Sequence, residues 1–155
     1  MTARIFSLSF LFSVFIQASP YPNVIFVLAD DLGIGDVSPT NPDCRIKTPH
    51  LQKMADEGIT FLDAHSSSSV CTPTRYGVLT GRYNWRSRLA RGVLSGTSEH
   101  LIPAERATVS HLLQSVGYHT QMIGKWHLGR SSGMAPNDQG FHDSLLMASG
   151  LYLPE

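Results

Sequence analysis

The chain has 155 residues, 42% of them apolar, and its twelve basic and twelve acidic side chains leave no formal net charge. Such a composition suits a globular chain with one core and at most one domain. It gives no basis for nucleic-acid binding, because a surface that tracks a phosphate backbone needs an excess of Lys and Arg.

Arg4, the apolar run Ile5 to Ile16 and the small residues of Ala18-Ser19-Pro20 predict a secretory signal peptide over residues 1–19. The run is too short to span a bilayer, so no stable membrane anchor is expected. Export to an extracellular, periplasmic or lysosomal compartment is. Asn23 to Ala29 is continuously apolar and rich in β-branched residues, which predicts a strand buried on both faces of a parallel sheet. Asp30 and Asp31 then stand at its C-terminal end, the edge where open α/β sheets bind ligands. Thr48-Pro49 opens a helix with Leu51, Met54 and Ala55 on one face and Gly58 as its stop, and Ile59 to Phe61 follows as a short strand.

Pro73 to Leu79 reads as helical, which places Cys71 just ahead of a helix N-terminus, where backbone N–H groups and the helix dipole favour an anion. Arg82, Arg86, Arg88 and Arg91 make a locally basic stretch that reads as a solvated face rather than an anion-collecting rim. Thr108 caps a helix whose Val109, Leu112, Leu113 and Val116 form an apolar stripe ended by Gly117. Tyr118 to Ile123 is the next strand and carries Gly124-Lys125-Trp126-His127 out of its C-terminal end. Lys125 and His127 alternate there, as side chains sharing one face of a strand do. From Leu128 to Gly140 the Gly, Ser, Pro and Asn content predicts a loop near the site. Strand, helix, strand, helix, strand is an α/β pattern.

Taken singly, these polar groups have plainer readings. Asp30 and Asp31 suit turn formation before Gly33, Asp36 is a turn or cap residue, and Lys125 and His127 are ordinary surface groups beside a core Trp126. Thr72 and Thr74 read as hydrogen-bonding turn residues. A buried small hydrophobe at Cys71 leaves Pro73 and Arg75 without a reason. Cys44 and Cys71 are the two cysteines, and a disulfide between them is the default for an exported chain.

Three blocks lift the polar groups above those readings. Cys71-Thr72-Pro73-Thr74-Arg75 closed by Leu79-Thr80-Gly81, Asp30-Asp31-Leu-Gly-Ile-Gly-Asp36, and Gly117-Tyr-His-Thr-Gln-Met-Ile-Gly-Lys-Trp-His-Leu-Gly129 occur in the order and near the spacings of the sulfatase family, which this chain resembles from Asn23 to about His142. The resemblance implies an α/β, alkaline-phosphatase-like mixed or parallel sheet flanked by helices, with residues 20–155 as the N-terminal, incomplete part of the catalytic domain. It implies hydrolysis of a sulfate monoester. Cys71 becomes formylglycine through a formylglycine-generating enzyme, which argues against the disulfide. One hydroxyl of the hydrated aldehyde attacks sulfur, and deprotonation of the other expels sulfate.

By the same resemblance Arg75 stabilises the formylglycine, Lys125 binds a sulfate oxygen and His127 assists deprotonation. Asp30, Asp31 and the converted Cys71 ligate a divalent cation, usually calcium, for which hard oxygens are the fitting donors. The family's further Asp-Asn pair and its later His and Lys are absent from this sequence. Two other readings follow. The chain is a truncated, non-catalytic sulfatase fragment, or it belongs with metal-dependent phosphoryl hydrolases of similar fold, which generally place Ser or Thr where Cys71 stands.

Overall fold

The computed structural model describes residues 21–95, 98–129 and 131–147. The expected signal segment, 1–19, lies outside them. Two compact units divide the chain at Asp31 and Leu32.

In the first unit, residues 22–29 run without secondary structure, and Val24 to Val27 are exposed. The expected buried strand is not formed. A strand exists only with a ladder partner, and none pairs with this run among the described residues. Asp30 and Asp31 close the unit.

In the second unit, α1 (Pro49–Glu57) begins at the predicted proline and stops at Gly58. Thr48 is its N-cap residue, yet its hydroxyl does not cap the helix. It accepts from Ser38 N at 2.9 Å, while Thr48 N donates to Ser38 Oγ at 2.9 Å, tying the preceding loop to the helix start. Residues 59–61 are irregular rather than a strand, and Ile59 and Phe61 are exposed.

The helix α2 (Cys71–Thr80) starts two residues before the predicted proline and ends at Gly81, whose φ of 64° is a left-handed cap conformation. Pro73 therefore occupies the third helical position, where its missing N–H costs nothing because first-turn donors have no intrahelical acceptor. Helix α3 (Val109–Ser115) is capped as predicted: Thr108 Oγ1 accepts from His111 N. That same Thr108 Oγ1 also bonds Gln139 O at 2.7 Å.

Strand β1 (Gln121–Gly124) is shorter than the predicted Tyr118–Ile123 and pairs in parallel with β2 (Asp143–Leu146), Gln121 facing Asp143 and Gly124 facing Leu146. Residues 125–142 form the crossover that a parallel pair requires. They contain the loop expected after Leu128, part of it a 3-10 turn at Pro136–Gln139.

The core gathers Tyr76 and Leu79 of α2, Leu94, Leu101 and Ile102 of the loops, and Trp126 and Leu128 of the crossover. Trp126 Nε1 donates to Met134 O at 2.8 Å, and its ring meets Phe141 edge-on at 6.2 Å. A buried indole thus has both its apolar body and its N–H satisfied. It fixes the segment on which Lys125 and His127 stand.

Candidate active site

The first turn of α2 and the segment leaving β1 meet at Cys71. As the first helical residue, Cys71 sits where the N–H groups of Cys71 and Thr72 have no intrahelical acceptor, Pro73 having none to offer. Lys125, half-buried, donates from Nζ to Cys71 Sγ at 3.1 Å. The Sγ that receives this contact is that of a free cysteine.

Arg75 lies four residues along α2, on the same helical face as Cys71. Its Nη1 donates to Lys125 O. One N–H of the guanidinium thereby holds the backbone of the residue whose ammonium reaches position 71. Helix dipole, ammonium and guanidinium together make this an anion-directed corner.

Thr72 makes the second tie. Fully buried at 0% exposure, it donates from Oγ1 to His127 O at 3.0 Å and accepts from Leu94 N at 3.2 Å. His127 closes the triangle: its Nε2 lies 3.0 Å from Leu94 O. A carbonyl only accepts, so Nε2 carries the proton, and in the neutral ring Nδ1 is the basic nitrogen.

His127 is 1% exposed, with a φ of 56°. A left-handed non-glycine costs about 1–2 kcal/mol, which the Thr72 and Leu94 bonds offset. The strand has already ended at Gly124, so the predicted alternation of Lys125 and His127 on one strand face does not hold. Lys125 reaches Cys71, whereas the His127 Nε2 edge is committed to Leu94.

Asp30 and Asp31 belong to the first unit, and the geometry just described is that of the second. Their carboxylate oxygens have the right chemistry for a hard cation, but two carboxylates fall short of the six to eight oxygens calcium takes. Among the described residues no group of three His, Cys, Asp or Glu converges on a metal position. Cys71 fits a hard cation only after its sulfur is replaced by oxygen. Both cysteines are free thiols, and Cys44 is buried, its Sγ donating to Ile46 O at 3.1 Å.

Leu94 escapes sequence reading because its role is played by backbone atoms. Its signal is the apolar pair Val93-Leu94 after Gly92 in an otherwise Arg-rich loop, which marks a core anchor. Thr72 is read there as a hydrogen-bonding residue, but its partners lie 22 and 55 residues away.

The sulfatase family model matches residues 22–151. This chain belongs to the sulfatase family. It is 42% identical over 113 residues to an N-acetylgalactosamine-6-O-sulfatase of Bacteroides thetaiotaomicron, covering 73% of this chain and 22% of that protein. It is 41% identical over 123 residues to human arylsulfatase A, covering 78% of this chain and 24% of the relative.

A solved Bacteroides thetaiotaomicron structure described under the metabolism of multiple glycosaminoglycans superposes with a TM-score of 0.76 at 36% identity, over 83% of this chain and 28% of that one. A Pseudoalteromonas sp. sulfatase superposes at 0.68 with 37% identity, over 79% and 25%. The sulfatase fold is therefore α/β and alkaline-phosphatase-like, here a short parallel sheet with helices. The chain spans between a fifth and a quarter of the length of these curated relatives.

Proposed function

We propose that this sulfatase hydrolyses a sulfate monoester, with Cys71 converted to formylglycine and with Arg75, Lys125 and His127 as its partners. The observation that carries the reading is the contact of Lys125 Nζ with Cys71 Sγ at 3.1 Å, at the first residue of a helix. It supports the reading by bringing a cation to the atom where the nucleophile would be built. The hydrated aldehyde supplies a nucleophile that releases sulfate instead of remaining as a stable adduct.

The chain's own residues hold the charge. Lys125 directs its N–H donors at position 71 and at the anion beside it. Arg75 fixes the Lys125 backbone. His127, with its proton fixed on Nε2 by Leu94 O, presents Nδ1 as the proton acceptor. Asp30 and Asp31 are proposed as carboxylate ligands of a calcium-like cation.

Residues 20–155 are proposed as the N-terminal part of the catalytic domain, following a signal peptide that directs export. Maturation then involves a formylglycine-generating enzyme. With two carboxylates toward a cation, these residues alone are not expected to turn over substrate. The test is turnover by the full-length protein, coexpressed with that enzyme, of an aryl sulfate against the matching aryl phosphate. Preference for sulfate, abolished by Cys71→Ala, is expected. Preference for phosphate would place the chemistry with phosphoryl hydrolases.

A further inference from the structure

The segment that follows α2 carries four arginines and no acidic residue between positions 82 and 98, within a chain whose formal charge is zero. As sequence it reads as a solvated face. The structure gives it a fixed backbone and a fixed course. Asn84 is buried, and its Nδ2 donates to Leu89 O at 2.8 Å. Leu89 and Leu94 pack on the core. Arg88 is committed to the carbonyls of His100 and Glu99.

Arg82, Arg86 and Arg91 are different. Among the described residues none of them has an ion pair or a side-chain hydrogen bond. Tyr83 and Trp85 stack on each other, with centroids 5.2 Å apart and planes within 12°, yet remain 52% and 60% exposed. Such a stack leaves an outer indole face open to solvent for a partly apolar ligand.

The course of the segment links this platform to the site. Tyr83 follows the C-terminal cap of α2 at Gly81, whereas Leu94 is tied to Thr72, next to Cys71, at the helix's N-terminal end. The ten residues of α2 span about 15 Å at 1.5 Å per residue. The cationic segment therefore runs back along the helix and ends at the nucleophile position.

We infer that residues 82–91 form an extended subsite for a sulfated oligosaccharide, with Trp85, backed by the stacked Tyr83 ring, offering its outer face to the CH face of a sugar ring distal to the scissile sulfate and Arg86 and Arg91 pairing with its further sulfate groups. This deepens the sulfatase reading and rests on it for the scissile unit. Guanidinium forks match the paired oxygens of a sulfate, and sugar CH faces gain dispersion and desolvation energy on indole. Nucleic acid fits less well, because the three arginines without partners lie in a chain with no overall excess of positive charge.

The test uses the full-length protein carrying Cys71→Ala, so that binding is read without turnover and independently of the proposed chemistry. A chondroitin 6-sulfate hexasaccharide, its desulfated counterpart and a short single-stranded oligonucleotide are titrated by calorimetry and by tryptophan fluorescence. Trp85 is exposed and Trp126 buried, so the sugar perturbs the former. The sulfated hexasaccharide is expected to bind with a Kd of about 1 mM or tighter. Desulfation, Trp85→Ala and the Arg86→Gln/Arg91→Gln pair are each expected to weaken it at least tenfold, with the far-UV spectrum and melting midpoint unchanged.

No saturable binding of the sulfated sugar would overturn the proposal. So would equal binding of the desulfated sugar, or oligonucleotide binding as tight as the sugar's and insensitive to Trp85→Ala. Loss of aryl sulfate turnover in the active protein, with sugar binding intact, would count against the catalytic reading alone.

Discussion

Replacing Thr72 by Val keeps the shape and removes the hydroxyl from a position with no solvent access. Two bonds go with it, to His127 O and from Leu94 N. Leu94 is 3% exposed, so its N–H loses an acceptor where water does not easily replace it. An unsatisfied buried donor costs about 1–3 kcal/mol and the lost bond to His127 about 1 more, giving about 2–4 kcal/mol in total. For a chain of this size that lowers the melting midpoint by about 5–15 °C. Thr72→Ser keeps the hydroxyl and loses one buried methyl, about 0.8 kcal/mol. Thermal and urea unfolding of both variants give the comparison. A Val variant as stable as the Ser variant would refute the claim that this hydroxyl holds the His127 segment.

Gly77→Ala is expected to destabilise by about 1–3 kcal/mol through overpacking, because a Cβ at that position would lie 2.3 Å from Ser67 Oγ and 3.0 Å from Ser67 Cβ. Adding Ser67→Gly should recover most of that loss in the same unfolding assay. Asp143 is held below its ordinary carboxylate value first by its hydrogen bond with His119, 2.6 Å away, and then by Gln121. A depressed folded-state value means stabilisation present above 3.8, the ordinary value, and lost as pH falls through the lower folded one. An NMR titration should place its midpoint below 3.8, and His119→Ala should raise it; a midpoint unmoved by that change contradicts the assignment. Arg75→Lys keeps the charge but replaces the planar guanidinium whose Nη1 donates to Lys125 O with a flexible ammonium, and should lower aryl sulfate turnover at least tenfold with little change in melting midpoint.

The helices were legible because their ends carry local chemistry: Thr48-Pro49 and Gly58 bound α1, and Thr108 and Gly117 bound α3. Helix α2 starts two residues before Pro73, since proline favours the first helical position but is tolerated throughout the first turn. Strands fared worse because pairing is a property of two segments. The run 23–29 has the composition of a buried strand without a partner among the described residues, while β2 was not anticipated from Asp143-Ser-Leu-Leu146, whose four residues carry little periodicity.

In the site, Cys71, Arg75 and Lys125 were named by motif and are brought together. What the motif could not convey is that Lys125 and His127 are oriented by separate ties, Arg75 for one and Thr72 with Leu94 for the other. A strand-like alternation cannot describe a residue at a φ of 56°.

Mass spectrometry of the peptide containing position 71, from protein coexpressed with a formylglycine-generating enzyme and confirmed by hydrazide labelling, is expected to show the aldehyde. An intact cysteine thiol at that position, in material that still releases sulfate from an ester, would contradict the account.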